Sequence, residues 1–283
     1  MELTNPSQIR ALLERHGFHF SKSMGQNFLI ASWVPERMAE VCELDGETGV
    51  LEVGPGVGCL TARLAQAAGK VVAIELDKSL KPVLQETLAG CDNVEIVFGD
   101  AMKQDLCKLI SDRMKGRRPV VCANLPYNMT SPLLAKFIDT QCFDCITVMV
   151  QREAAQRICA KAGTSEYGMF TVYVNWNCET ELLFNVSPDC FMPRPKVVSS
   201  VIRLRPRKAP PAQVTDEQLM FRVVKAAFGQ RRKMLCNALS KGLPDFPKDR
   251  ISAAIESCGL DPRIRGESLD FSAFAELANH LVQ

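Results

Sequence analysis

The segment that decides the fold is Val50-Leu51-Glu52-Val53-Gly54-Pro55-Gly56-Val57-Gly58-Cys59-Leu60-Thr61. Its apolar start predicts a buried strand, and its glycine-spaced part predicts a turn that leads into a helix. Glycines at alternate positions carry no Cβ atoms, so the backbone can adopt positive φ angles and a ligand can approach the main chain closely. A turn of this kind directly after a strand is typical of nucleotide-binding βαβ units.

A second apolar run, Val71-Val72-Ala73-Ile74, ends at Glu75. An acidic side chain about 20 residues after the glycine turn can accept hydrogen bonds from both hydroxyls of a ribose. The dinucleotide fingerprint would require glycine or alanine at position 59, where the chain has Cys59. The turn therefore favours S-adenosylmethionine, which has no phosphates, over NAD. A tight turn without any ligand is the alternative interpretation.

Further apolar runs alternate with helical patterns and predict the rest of a sheet. They lie at residues 94–98, 120–123, 146–150, 181–186 and 199–204, and the last two predict an antiparallel hairpin. The alternation predicts an α/β fold with a doubly wound, mostly parallel sheet of seven strands. Ligands of such sheets bind beyond the carboxyl ends of the strands. Residues at these ends should share one crevice: Glu52, Gly54, Glu75, Asp100 and Asn124.

The 283 residues are enough for a large α/β domain and a smaller one. The Pro-rich, basic stretch 204–212 is the best linker candidate, and four amphipathic helical patterns follow it. The predicted domains are residues 1–206, with an N-terminal helix that begins at Asn5-Pro6, and an all-α domain at residues 207–283.

Composition and charge exclude several classes of protein. Hydrophobic residues make up 47% and charged residues 23%, as in an ordinary globular protein, and the net charge is only +2. No apolar run is long enough for a membrane span and no signal peptide is visible, so a cytoplasmic location is expected. Of the 12 cysteines, Cys142 and Cys145 form a C-x-x-C pair that nothing completes into a zinc site. We expect reduced, packed thiols and no metal.

The motif Asn124-Leu125-Pro126-Tyr127 follows the fourth predicted strand and is the most specific chemical signal. The exocyclic amine of a base is a poor nucleophile because its lone pair is delocalised into the ring. The Asn124 oxygen and a nearby backbone carbonyl could accept hydrogen bonds from this amine and aim its lone pair at a methyl donor. Pro126 stiffens the turn, and Tyr127 offers a ring on which a flipped base can stack. The alternative is an ordinary turn.

Five motifs, in this order along the chain, resemble the ribosomal RNA adenine dimethyltransferase family. They are Gly25-Gln26-Asn27-Phe28-Leu29, the glycine turn from Leu51 to Gly58, Asn124-Leu125-Pro126-Tyr127-Asn128, Phe191-Met192-Pro193-Arg194-Pro195-Lys196-Val197 and Ala227-Phe228-Gly229-Gln230-Arg231-Arg232-Lys233. The resemblance implies a Rossmann-like class I methyltransferase that dimethylates N6 of two adjacent adenosines near the 3′ end of 16S rRNA, in biogenesis of the small ribosomal subunit. The protein is expected to act as a monomer.

The resemblance also implies roles for individual residues. S-adenosylmethionine would be bound by Asn27, Leu29, Gly54, Gly56, Glu75, Asp100 and Asn124. Glu75 would hold the ribose, and Asp100 would hold the adenine amine of the cofactor. The catalytic set would be Asn124, Leu125, Pro126, Tyr127 and Phe191, with Phe191 stacking on the second face of the target base.

Local charge predicts where RNA is bound, since the net charge is small. No acidic residue occurs between Asp189 and Asp216, and a second basic group follows near residue 231. The predicted contacts are Arg194, Lys196, Arg207, Lys208, Arg231, Arg232 and Lys233. Two acid-free groups favour a face that follows RNA phosphates, whereas an ordinary solvated surface is the alternative.

Three other functions are considered. A related enzyme acts on large-subunit rRNA and confers macrolide resistance, but Leu125, Gly25 and the stretch from Phe228 to Lys233 favour the small-subunit enzyme. NAD-dependent oxidoreduction is suggested by the glycine turn alone. A non-catalytic assembly or transcription factor could have the same fold, but the intact motif at Asn124 argues against it.

Overall fold

The computed structural model describes residues 1–19 and 26–282. The chain divides into two compact units. The first unit consists of Met1–Ala155 and Glu181–Pro206, and the second consists of Gln156–Thr180 and Arg207–Gln283.

Nine strands of the described residues form two sheets. The strands are β1 (Phe28–Leu29), β2 (Thr48–Val53), β3 (Lys70–Glu75), β4 (Val94–Phe98), β5 (Arg118–Asn124), β6 (Cys145–Gln151), β7 (Cys178–Val186), β8 (Phe191–Met192) and β9 (Ser199–Pro206). The main sheet has seven strands in the order β4-β3-β2-β5-β6-β9-β7, and β1 pairs with β8 in a small antiparallel sheet.

The main sheet is mostly parallel. β4, β3, β2, β5 and β6 run in the same direction, whereas β9 is antiparallel to β6. All six residues of β2 are buried, which places this strand in the centre of the first unit. The prediction of an α/β fold with a seven-stranded, mostly parallel sheet is confirmed. The sequence did not indicate that β9 would lie between β6 and β7.

Twelve α-helices complete the described chain. They are α1 (Pro6–Arg15), α2 (Trp33–Val41), α3 (Cys59–Ala67), α4 (Lys81–Thr87), α5 (Leu106–Met114), α6 (Thr130–Asp139), α7 (Arg152–Ile158), α8 (Met169–Asn177), α9 (Glu217–Gly229), α10 (Leu235–Gly242), α11 (Lys248–Ser257) and α12 (Phe271–Val282). α1 begins as predicted, because the Asn5 side chain accepts hydrogen bonds from the backbone N–H groups of Ser7 and Gln8. Within the described ranges no helix combines the length and apolarity that a membrane span requires.

The second unit is helical and has its own core. Met220 and Val223 of α9 pack there with Leu239 of α10 and Phe274 of α12. The predicted division placed residues 156–180 in the first domain, but the structure groups them with the second unit. The physical reason is that Trp176, near the end of α8, is 2% exposed and belongs to this helical core.

Two cysteines depart from the expectation of reduced thiols. Cys107 in α5 and Cys142, which follows α6, form a disulfide although 35 residues separate them in sequence. The expectation is therefore wrong for this pair. The fold brings the two Cα atoms to 6.2 Å, a proximity that spacing along the chain does not indicate. The other ten cysteines are thiols.

A carboxyl group lies inside the first unit. Glu52 of β2 is 1% exposed, and its Oε2 atom has no hydrogen-bond partner within the part of the chain that the structure describes. Burial penalises the charged form and raises the pKa of Glu52 to about 8. Glu52 is therefore predominantly protonated at pH 7.

Glu52→Gln should remove a pH dependence of stability. Between the ordinary pKa of 4.5 and about 8, the unfolded chain releases the Glu52 proton while the folded chain keeps it. The free energy of unfolding of the wild type should therefore fall as the pH rises through this window, by several kcal/mol at most, and level off above it. The free energy of unfolding of Glu52→Gln should not show this fall with pH. Urea denaturation from pH 5 to pH 9 measures it.

The matched control is Glu40→Gln, which changes an exposed carboxylate of α2 and should leave the slope of the wild type unchanged. If stability of Glu52→Gln fell with pH in parallel with the wild type, the buried carboxyl would not be the cause.

Candidate functional site

One cavity lies at the carboxyl ends of β2, β3, β4 and β5 in the first unit. It holds about 880 Å³ of space, including its open mouth, and concave sites of this kind are where proteins bind small molecules. Its wall contains Gln26, Asn27, Phe28, Val53, Gly54, Gly56, Ile74, Glu75, Leu76, Leu80, Gly99, Asp100, Ala101, Met102, Asn124, Leu125, Pro126, Tyr127, Met129 and Leu133. These lining residues include two carboxylates and no lysine, arginine or histidine.

The glycine turn forms one wall of the cavity. Gly54, Gly56 and Gly58 have φ angles of 74°, 59° and 87°, so the expected left-handed backbone is present at all three positions. A Cβ atom on Gly56 would lie 3.0 Å from the ring of Phe28. The turn therefore combines a conformation that favours glycine with a close approach at which a Cβ atom would require the Phe28 ring to shift.

Glu75 is the last residue of β3, and its side chain connects the glycine turn to this strand. Its Oε2 atom accepts a hydrogen bond from the Gly56 N–H at 3.3 Å, and Oε1 accepts one from the Asp77 N–H at 2.8 Å. The side chain is 6% exposed, and burial raises its pKa. Both oxygens are thus held in place, and each keeps a further lone pair for a hydroxyl group.

Asp100 follows β4 and reaches the same cavity. Its Oδ1 atom accepts a hydrogen bond from the Met102 N–H at 2.9 Å, which caps the short turn Ala101–Lys103. No described residue forms a hydrogen bond with Oδ2. This oxygen can accept a hydrogen bond from an amine that enters the cavity.

Asn124 is the last residue of β5. Its Nδ2 atom lies 3.5 Å from the backbone oxygen of Asn27, to which it donates. Because the nitrogen is directed at Asn27, the Oδ1 atom is left as an acceptor, and no described residue occupies it. The following N–H, of Leu125, donates to Met149 at 3.1 Å and keeps the motif attached to β6.

Tyr127 is held by a residue far away in sequence. Its hydroxyl group lies 2.8 Å from the Oγ atom of Ser199, at the start of β9. Burial raises the pKa of Tyr127, so the hydroxyl stays protonated at neutral pH. Ser199 was not predicted as a site residue, since nothing in the sequence indicates which strand begins beside Tyr127.

The small β1–β8 sheet brings two of the quoted motifs together. Phe28 is opposite Met192, and Leu29 is opposite Phe191. Leu29 lines a second, smaller cavity with Asn27, Glu52, Gly54 and Asn124, among other residues. Ser23, Met24 and Gly25, which precede β1, lie outside the described residues.

Phe191 does not have the position that base stacking requires. Its side chain is 2% exposed and packs in the core with Leu29, Val34 and Met38. The prediction that Phe191 stacks on a target base does not fit this structure, because its ring is covered by the first unit. Pairing with Leu29 in the small sheet explains the burial.

Several lining residues were not predicted. Gln26 donates from Nε2 to Asp77 at 2.8 Å, and Met102, Met129 and Leu133 add apolar surface. Leu76 is 57% exposed although it is apolar. Its position directly after Glu75, at the end of a strand, could have identified Leu76 as a lining residue from the sequence.

The predicted RNA-contacting residues fall into two groups. Three of them form ion pairs: Arg194 with Asp189 at 3.2 Å, Arg207 with Glu179 at 2.9 Å and Arg231 with Glu267 at 2.6 Å. Arg207 and Arg231 also donate to backbone oxygens, of Asn175 and Thr164. The other four, Lys196, Lys208, Arg232 and Lys233, are exposed and form no ion pair with any described residue.

Comparisons with known proteins agree with this geometry. The profile of the family described as ribosomal RNA adenine dimethylase matches residues 17–278. The ribosomal RNA small subunit methyltransferase A of Geobacillus thermodenitrificans is 43% identical to this chain. The alignment, 291 residues long with its gaps, covers 99% of this chain and 97% of that protein.

Two solved structures are also similar. A dimethyladenosine transferase from Plasmodium falciparum superposes with a TM-score of 0.75 at 26% identity, over 88% of this chain and 95% of that one. The 23S rRNA methyltransferase ErmE superposes with a TM-score of 0.69 at 27% identity, over 90% of this chain and 100% of the ErmE chain. With its matching profile, its similar relatives and its cavity at the strand ends, this chain belongs to the ribosomal RNA adenine dimethylase family.

Proposed function

We propose that this protein uses S-adenosylmethionine to dimethylate N6 of two adjacent adenosines near the 3′ end of 16S rRNA, as a step in small-subunit biogenesis. The observation that carries the proposal is the Asn124 side chain. Its oxygen is free to accept a hydrogen bond in a cavity that also contains a carboxylate positioned for a ribose.

The cavity fits the charge of S-adenosylmethionine. The cofactor has a cationic sulfonium and no phosphates, and the lining residues supply Glu75 and Asp100 without any basic side chain. We assign the ribose hydroxyls to Glu75 and the adenine amine to Asp100. Gly54 and Gly56 provide the close backbone approach, and Asn27, Leu29 and Asn124 complete the binding set.

The protein's part in the reaction is mainly positioning. Bound S-adenosylmethionine supplies an electrophilic methyl group with an excellent leaving group. Asn124 accepts a hydrogen bond from the adenine N6 amine and orients its lone pair. Pro126 fixes the backbone of the turn, and Tyr127 provides a ring surface for the extruded base. The amine proton can leave after transfer, so no general base is required.

Leu125 and Phe191 act from the core rather than by touching the base. Leu125 is 1% exposed and fixes the motif through its N–H bond to Met149. Phe191 holds β1, and therefore Asn27, through its pairing with Leu29. We assign positioning roles to both residues.

The small subunit is the substrate that the relatives favour. The Geobacillus relative, at 43% identity, is named for the small subunit, whereas ErmE, named for 23S rRNA, is 27% identical. We further propose a monomer that works in the cytoplasm, with residues 1–206 as the methyltransferase domain and residues 207–283 as an RNA-binding domain. Residues 156–180 belong to the same compact unit as this second domain.

RNA contact is proposed for the basic residues near the active-site loop and in the helical unit. Lys196, Lys208, Arg232 and Lys233 are the first candidates, because their charges are exposed and not paired with a described carboxylate. Arg194 is exposed in a solvent-screened pair and can exchange its partner for a phosphate. Arg207 and Arg231 would contribute mainly by holding the local structure.

Asn124→Ala should reduce methyl transfer by about 100-fold or more, because it removes the acceptor that orients the amine. Undermethylated small subunits and labelled S-adenosylmethionine provide the assay, and primer extension locates the modified adenosines. Gln85→Ala, which truncates an exposed amide of α4 outside the cavity, serves as the control. Near-normal turnover of a folded Asn124→Ala protein would refute the role of Asn124, and transfer to 23S rRNA instead would refute the substrate.

Glu75→Gln should weaken binding of S-adenosylmethionine by about tenfold, since an amide replaces the charged acceptor of the ribose hydroxyls. Isothermal titration calorimetry measures the dissociation constant, and NAD should give no heat with the wild type. Glu86→Gln alters an exposed carboxylate outside the cavity and should bind the cofactor normally. Equal affinity of Glu75→Gln and the wild type would contradict the assignment.

The double variant Arg232→Ala/Lys233→Ala should weaken binding to 16S rRNA and lower the dependence of log K on log salt by roughly one unit per lost phosphate contact. Filter binding at several salt concentrations gives both quantities. The charge-matched control, Lys241→Ala/Lys248→Ala, removes two exposed lysines of the same unit that lie outside the basic groups. If both variants had the slope of the wild type, these two residues would not contact RNA.

A further inference from the structure

Three side chains with metal-binding atoms meet in the second unit, at the ends of two packed helices. Cys258 directly follows α11, and Glu276 and His280 lie on α12, four residues apart. Residues at this spacing occupy the same face of a helix. The cysteine sulfur, a carboxylate oxygen and an imidazole nitrogen all lie within 4.8 Å of one another.

These three groups face each other without bonding to each other. Cys258 and His280 are partly buried, and Glu276 is exposed. Although the carboxylate and the imidazole are within 4.8 Å, they form no ion pair, and within the described chain no side chain forms a hydrogen bond with any of the three. Close polar groups with no mutual contact leave a space that a cation can occupy.

The backbone around the cluster is well held. The N–H of Cys258 donates to Ala254, and that of Leu260 donates to Ile255, which closes the end of α11. Arg250 of α11 donates to the backbone oxygen of Leu281 at 2.7 Å and ties the two helices together beside the cluster. The three side chains are therefore presented by a fixed framework.

We propose that Cys258, Glu276 and His280 form a site for a zinc-class divalent cation. Thiolate, imidazole and carboxylate are the three ligand types that Zn²⁺ takes in proteins, whereas Mg²⁺ and Ca²⁺ select oxygen ligands. In a tetrahedral site the ligand atoms are about 3.3–3.7 Å apart, so small side-chain rotations close the cluster around the ion. Water takes the fourth position.

The metal has a structural consequence. The ion joins the end of α11 to the last turn of α12, so binding stabilises the folded second unit by linkage. All three ligands belong to this unit, whereas the methyl-transfer cavity is lined by residues of the first. The site is therefore an addition to the proposed methyltransferase function and does not depend on it.

The test uses the full-length protein after treatment with a chelator. Titration with Co²⁺ should give one tightly bound equivalent with a thiolate-to-cobalt absorption band, which Zn²⁺ should then displace. Zn²⁺ at a hundredfold excess over its dissociation constant should raise the melting temperature by about 5 °C. Cys258→Ser should abolish the absorption band, and His280→Ala should weaken binding by about tenfold or more.

Cys236→Ser is the matched control, because Cys236 is another partly buried thiol of the same unit and is outside the cluster. It should bind Co²⁺ as the wild type does. Absence of a tight equivalent in the wild type would overturn the proposal. An unchanged absorption band in Cys258→Ser would also overturn it. If the serine variant failed to fold, His280→Ala would decide, because an unchanged Co²⁺ affinity in that variant would overturn the proposal as well.

Discussion

The parallel pairing of β2 with β3 and β5 is the constraint on which the rest of the structure depends. Val53 is in register with Ile74, and Leu51 is paired with both Val72 and Val121. Because parallel strands end at the same edge, the residues that follow them meet in one cavity. A shift of one residue in any strand would turn its side chains to the opposite face. The register therefore determines which residues meet at the site.

Hydrogen bonds inside the protein then determine which polar atoms remain for a ligand. Both oxygens of Glu75 hold backbone N–H groups, which joins the glycine turn to β3. Asp100 holds the nearby Met102 N–H with one oxygen, Asn124 holds the distant Asn27 carbonyl with its nitrogen, and each leaves its other side-chain atom for a ligand. Since each side chain is fixed at one point, the free acceptors are oriented in advance. Preorganisation of this kind is what a reaction driven by positioning requires.

The sequence predicted those parts of the fold and site that local pattern determines. The central strands are apolar runs, and Gly54, Glu75, Asp100 and Asn124 could be assigned to one edge because parallel strands share a direction. The parts that were missed arise from contacts between distant segments. Ser199 reaches Tyr127 across 72 positions, and Cys107 meets Cys142 across 35. The burial of Phe191 likewise follows from its pairing with β1, a two-residue strand too short to show a period.

Contacts between distant segments also decide which basic side chains are available to a ligand. Counting basic residues treats Arg231 and Lys233 alike, yet Arg231 is bound to Glu267 and to a backbone oxygen, while Lys233 is exposed. Removing Arg231 would break its ion pair and its hydrogen bond to the backbone oxygen of Thr164, so loss of RNA binding in such a variant could not be separated from loss of structure. With a net charge of only +2, long-range attraction to RNA is weak. In the proposed mode of RNA binding, recognition depends on a few unpaired cations placed at short range, and these are the residues at which charge and fold can be separated experimentally.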